Sequence, residues 1–281
     1  VGMEDPSWEQ CSLPVRMGGL GIRTASEVSL PAYLSSVSAT FESITPLLPT
    51  YLRNEENPFF TQATFQWSNL LSGEDFPILK SVQAAWDIPL CKKRFENLLQ
   101  SANTYEDKAR LRAVSSEHAS DWLNCVPLPS MSLKLSRQSL RIAVALRLGS
   151  TICRLHKCHC IDKDTKQPST VDIKGLHGLS CASAGGKGRI ARHDHANDLI
   201  QRALASANYH CILEPTGLLR DERRPDGFSL YPYTEGKILA WDYTCRNTLA
   251  ESYKKHSAEE VGYAAKKGEK DKYDNYQDLV N

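Results

Sequence analysis

Lys237-Ile238-Leu239-Ala240-Trp241-Asp242-Tyr243-Thr244-Cys245 reads as a β-strand, mostly apolar, with one acid set inside it. An ionised carboxylate among such neighbours is costly unless it is paired or binds a cation. Asp242 therefore marks a site. Upstream, Arg224-Pro225-Asp226-Gly227 is a turn leading into a second strand, residues 228–231. Pro225 fixes φ there, and Gly227 relieves crowding beside Asp226. Pro232, Thr234, Glu235 and Gly236 supply a turn between the two runs. If the strands pair antiparallel, Asp226 and Asp242 converge at one end of the sheet. Two carboxylates plus phosphate oxygens make the octahedral oxygen shell that Mg²⁺ prefers. Such an ion lowers the pKa of bound water and stabilises a leaving oxygen. Glu214, just after a short strand at 209–213, is a third candidate ligand.

Around these strands the pattern is helical. Ala196, Leu199, Ile200, Ala203, Leu204 and Ala207 follow a period near 3.6, giving a helix over 195–207. A long helix is expected over 248–273. The order helix, strand, strand, strand, helix predicts an α/β sandwich. Lys254, Lys255, Lys266, Lys267, Lys270 and Lys272 crowd the last helix, interleaved with Glu259, Glu260 and Glu269. The spacing suits a solvated face as well as a phosphate-facing one. Lys270 and Tyr273, one turn apart, are candidates to neutralise transition-state charge and to orient water or phosphate.

Between the halves lies a stretch dense in Cys, His, Gly and Lys. Cys158-His159-Cys160 offers one pair of soft ligands on a tight turn, and His177-Gly178-Leu179-Ser180-Cys181 offers another. His177 and Cys181 point the same way if that segment turns helical. The loop between them, with Asp162, Lys163, Asp164, Pro168 and Gly175, has little to bury, so a metal would hold it shut. Four protein ligands suit a structural Zn²⁺. Cys153 can replace one Cys in this set, and His193 or His195 can replace His177.

The first half reads as helical. Ser29 is the expected cap of a helix running toward Phe41, with Pro31 in its first turn. Further helices are expected over 76–86, 92–99, 105–123 and 140–148, the last stopped by Gly149. The net charge of +1 places any nucleic-acid affinity in local patches. Nine Cys without a leading signal segment argue for a reducing compartment, cytosol or nucleus. No apolar run approaches the length of a membrane span. The start at Val1 and the stop after a Lys/Tyr-rich helix suggest a piece of something longer.

At these residues the chain resembles the region after the polymerase in non-LTR retrotransposon polyproteins. The resemblance rests on His177–Cys181, Arg192-His193, the run from Leu213 to Leu218, Arg224–Gly227 and Trp241–Cys245. It extends to Leu13-Pro14-Val15-Arg16-Met17-Gly18-Gly19-Leu20-Gly21-Ile22 and to Ala143–Gly149, which are similar to the linker after a reverse-transcriptase thumb. It implies an α+β chain in three parts: a helical region over 1–150, a zinc-knuckle loop over 151–192, and a restriction-like endonuclease of the PD-(D/E)XK class over 193–281, lacking its last strand. By that likeness Cys158, Cys160, His177 and Cys181 are the knuckle ligands, Asp226 and Asp242 the motif acids, and Lys270 with Tyr273 the trailing element. Thr244 stands where simple restriction enzymes carry Lys. No Tyr-x-Asp-Asp motif occurs, so polymerase chemistry is excluded here. The expected function is a Mg²⁺-dependent endonuclease that nicks target DNA to prime reverse transcription. Expected partners are DNA, element RNA and the reverse-transcriptase part of a longer polyprotein, with no membrane. A nucleic-acid-binding relic and a truncated product are the competing expectations.

Overall fold

The computed structural model of the chain describes residues 6–53, 57–72, 75–78, 80–131, 133–162, 165–181, 187–217 and 223–280. It is α+β and divides into two compact units, Val1–Ser150 and Thr151–Asn281.

In the first unit, α1 is Pro6–Ser12 and α2 is Ala25–Ile44. Thr24, not Ser29, caps α2. Its backbone N–H donates to Glu27 Oε2 at 2.8 Å, closing a capping box. Pro31 consequently lies inside the helix rather than in its first turn. Asn57 caps α3 (Pro58–Leu70) by accepting from the Phe59 and Phe60 N–H groups. The expected helices at 76–86 and 92–99 are replaced by one, α4 (Gln83–Ser101), which runs through Pro89. Residues 76–78 are not helical, and residue 79 lies outside the described residues. Phe76 instead lies against the tryptophans while staying exposed, its ring 5.8 Å from Trp67 and 6.1 Å from Trp86. Trp67 and Trp86 meet edge to face at 5.2 Å and anchor a core with Leu34, Ala63 and Leu71. The helix expected over 105–123 stops as α5 (Tyr105–Val114). A turn with His118 at φ 63° leads to α6 (Asp121–Asn124). Finally α7 (Arg137–Leu148) ends where Gly149 takes φ 68°.

The glycine-rich segment after α1 wraps a buried cation. Arg147, 4% exposed, donates to the carbonyls of Gly19 and Val15 at 3.1 and 2.6 Å and to Ser120 Oγ at 2.8 Å. Desolvation pulls its pKa down, and the converging oxygens offset the loss of water. A Cβ on Gly19 would stand 2.0 Å from the Leu13 carbonyl oxygen, so no other residue fits there.

The second unit begins with a ribbon where a loop was expected. β1 (His156–Ile161) and β2 (Pro168–Val171) pair antiparallel. Asp162 closes their connection by accepting from Thr165 N–H and Oγ1, while Lys163 and Asp164 lie outside the described residues. After α8 (His177–Ser180) and α9 (Lys187–Ser206) comes an antiparallel sheet ordered β3 (Cys211–Leu213), β4 (Gly227–Thr234), β5 (Lys237–Trp241). The single long helix expected over 248–273 is broken. Gly262, at φ 75°, separates α10 (Lys254–Glu259) from α11 (Tyr263–Val280).

Gly227 lies directly opposite Trp241 in the β4–β5 register. A Cβ on Gly227 would stand 2.2 Å from the indole. Gly227→Ala is therefore expected to destabilise the second unit by about 1–3 kcal/mol or more, read as a lower thermal midpoint. Gly178→Ala, whose Cβ meets nothing within 4 Å, serves as the neutral control; equal melting of the two variants would refute the packing account.

Candidate metal centre and carboxylate site

Cys158 and Cys160 sit two apart on β1, and period-two alternation turns both thiols to one face. The pair thus lies on a strand rather than a tight turn. The opposing pair comes from one helical turn. Asp172 starts it by accepting from the Lys174 and Leu176 N–H groups, and His177 and Cys181 then stand four apart. All four ligand atoms lie within 4.8 Å of one another. Cys158 Sγ is 3.7 Å from Cys181 Sγ, and Cys160 Sγ is 3.1 Å from His177 Nε2. A zinc tetrahedron with Zn–S near 2.3 Å has ligand separations of about 3.8 Å. Ser169, then Cys158, Cys181 and His177, hydrogen-bond Cys160 and lower its thiol to about 7, favouring the thiolate a metal needs.

This group can hold a metal ion, and its donors fit a structural Zn²⁺. The alternates fall elsewhere. Cys153 Sγ is 3.2 Å from the Asp172 carbonyl oxygen, His193 faces Asp226, and His195 is exposed. Among the described residues no other group of three or more His, Cys, Asp or Glu brings its ligand atoms together in this way.

The second cluster follows from strand register. Gly227 opposes Trp241, so one step further Asp226 faces Asp242. Asp226 Oδ2 accepts from the Tyr243 N–H at 2.6 Å and lies 3.0 Å from His193 Nε2. Asp242 Oδ1 accepts from Lys272 Nζ at 2.6 Å. Burial, followed by the neighbouring Asp242 charge, pushes the Asp226 carboxyl above the usual range; the Tyr243 N–H and His193 oppose the rise. Tyr276 also reaches this site. Burial, then Asp242, pushes its hydroxyl up to about 12.

The cation and the phenol differ from those expected. Lys272 and Tyr276 reach Asp242, while Lys270 and Tyr273 stand exposed on α11. The cause is Gly268. Its missing side chain lets α11 settle on Thr244 and Arg246, which a Cβ would meet at 3.0 and 3.1 Å. Residues 268, 272 and 276 share one stripe of the helix. A lone glycine followed by Lys and Tyr at four-residue steps was the signal in the sequence. Glu214 pairs with Arg224, whose Nη2 lies 2.9 Å from its carboxylate. His193 was missed as a neighbour of Asp226. A cleft of about 310 Å³ opens beside the acids, lined by His193, Tyr243, Arg246 and Lys272 among others.

No protein-family profile, curated protein or solved structure matches the chain. Among the described residues no helix is long and apolar enough to cross a membrane. Fold and site together define an α+β protein whose second unit carries a Cys/His group that could hold a metal ion.

Two outcomes follow. Cys158→Ser and His177→Ala are expected to reduce bound zinc from about one ion per chain toward none, measured by metal analysis. Hydrogen exchange should then rise across residues 156–181, and unchanged exchange would count against the staple. For Asp226 the folded carboxyl is raised above its unfolded value. Its favourable contribution is therefore complete below the unfolded pKa and lost as pH rises through the folded one. At pH 7, without added divalent ions, Asp226→Asn is expected to melt higher than the parent, the gain shrinking as pH falls. A lower midpoint at pH 7 would contradict this.

Proposed function

We propose that the chain is a Mg²⁺-dependent DNA endonuclease of a retrotransposon-derived protein, nicking target DNA to prime reverse transcription. The observation that carries this reading is the meeting of Asp226 and Asp242 at one sheet end, with Lys272 against them. A restriction-like core is the fold this suits: three antiparallel strands flanked by α9 and α11. The donor chemistry fits a hard cation. Tyr243 N–H and His193 both converge on Oδ2 of Asp226; Asp226 and Asp242 are the residues that would hold the ion. A bound Mg²⁺ supplies Lewis acidity and an activated water.

The chain's own groups do the rest. Lys272 sets positive charge where the phosphate gains negative charge, and the Tyr276 hydroxyl orients a phosphate oxygen or water. Arg246, tied to Asp271 at 3.3 Å, borders the cleft through which a strand would pass. The Cys/His group fixes the ribbon that precedes α9. Partners under this reading are DNA, element RNA and the reverse-transcriptase part of a polyprotein, in the nucleus or cytoplasm.

One observation favours a second reading, a nucleic-acid-binding relic. Lys272 already neutralises Asp242, and a paired acid has less need of a cation. Nicking of supercoiled plasmid in Mg²⁺ separates the two. Asp226→Ala and Asp242→Asn are expected to lose about 10²–10³-fold in rate or more, Lys272→Ala a similar amount, and Lys270→Ala little. If the parent and Asp226→Ala give the same background while salt-dependent DNA binding persists, the relic reading replaces the nuclease.

A further inference from the structure

We infer that His193 is a positioning residue for a divalent cation, acting through Asp226: its Nε2–H holds Oδ2 so that Oδ1 faces the ion. This rests on the carboxylate reading above and adds a residue to it.

His193 and Asn197 stand four apart, on one face of α9. Asn197, 4% exposed, donates through Nδ2 to the Asp226 carbonyl at 3.1 Å and accepts from Trp241 Nε1 at 2.7 Å. The same face thus grips the main chain of Asp226 with Asn197 and its carboxylate with His193.

The tautomer follows from the partners. Nε2 of His193 lies 3.0 Å from Asp226 Oδ2 and 3.2 Å from the Tyr243 carbonyl oxygen. Both partners are acceptors, so Nε2 is assigned the proton and donates to each. With the Tyr243 N–H also on Oδ2, that oxygen is held from two directions. The carboxylate plane can no longer swing, and one oxygen is presented. Ordering of a ligating group by a hydrogen-bonded neighbour commonly changes metal affinity 10–100-fold.

His193 is itself fixed. Its ring packs on Tyr243 at a centroid distance of 5.8 Å. The preceding residue, Arg192, donates to the Leu179 carbonyl at 2.6 Å, in the turn between His177 and Cys181. Adjacent residues of α9 therefore bind the metal-holding turn and the acid. A surface histidine would have neither constraint.

The experiment titrates Mn²⁺ into the zinc-loaded full chain and follows free Mn²⁺ by electron paramagnetic resonance, with plasmid nicking measured in parallel. The parent is expected to bind Mn²⁺ and Asp226→Asn to lose it. His193→Leu should weaken binding about 10-fold or more, and His193→Gln, which keeps an N–H donor at similar reach, should recover most of the loss. Should the Leu variant fail to fold, His193→Asn, too short to reach Oδ2, takes its place. Parental Mn²⁺ affinity in the Leu or Asn variant overturns the assignment, as does a Gln variant no better than either. A parent that binds no Mn²⁺ overturns it too. His193-dependent binding without nicking leaves the assignment standing and removes the nuclease. Nicking that survives with unaltered Mn²⁺ affinity in the variants does the reverse.

Discussion

The candidate site of the second unit is arranged around one desolvated carboxylate. Asp226 is set opposite Asp242 by a register that Gly227 and Trp241 lock, since the indole occupies the space a side chain would need. Neither acid can then leave the other's field without unzipping β4 from β5. The cost shows as the raised carboxyl of Asp226. Everything nearby answers that cost: a backbone N–H, an imidazole, and a lysine on the partner acid. Side chains are gathered here by an electrostatic demand, a pattern that functional sites and structural ion-pair networks share.

The two units meet the cost of folding differently. In the first, Trp67, Trp86, Leu13, Leu34 and Leu111 are almost wholly buried, and burial of large apolar surface is the dominant favourable term. In the second, the most buried described side chains are small or polar: Val171, Asn197, Ser229, Ser257, Ala258 and Ala264. A unit with so thin a core needs other fasteners. The Asn197 bridge between Asp226 and Trp241 is one, and Ser229, accepting from the Leu239 N–H across the sheet, is another. A metal at Cys158, Cys160, His177 and Cys181, which could hold one, would be a third, because its binding free energy becomes folding free energy.

What the sequence disclosed follows the range of each interaction. The helix at 195–207 and three strands of the second unit came from local periodicity and turn chemistry, as did the Gly149 cap. The last helix is instead broken at Gly262, and β5 stops at Trp241, one residue short of Asp242. The four soft ligands came from residue type, which tertiary context does not change. Errors arose where a distant partner decides. Phe76 left its helical pattern for two tryptophans on other segments, whereas the Thr24–Glu27 capping box is a local signal spanning three residues. The ribbon at 156–171 was hidden because its strand residues are cysteines, histidines and lysines, with apolar signal too weak for alternation to show. Choosing Lys270 over Lys272 was an error of helix phase. Only the close approach at Gly268 fixes which face of α11 meets the sheet.

Charge balance bears on the Lys272 pair, the feature least favourable to a cation. Counting carboxylates and ammonium alone, Asp226 and Asp242 against Lys272 leave a formal charge of minus one. The excess charge lies on Asp226, the acid that has no ammonium partner and whose carboxyl is raised. A divalent ion alone would overshoot to plus one, and one phosphodiester group beside it restores neutrality. The site is thus closer to balance with ion and phosphate together than with either absent. Lys272, about a third exposed, keeps its long stem free to follow the phosphate when the ion takes its place on Asp242. Under the proposed reading the pair at 2.6 Å is the resting partner of an acid whose working partner is the metal, and binding of ion and substrate should be mutually reinforcing.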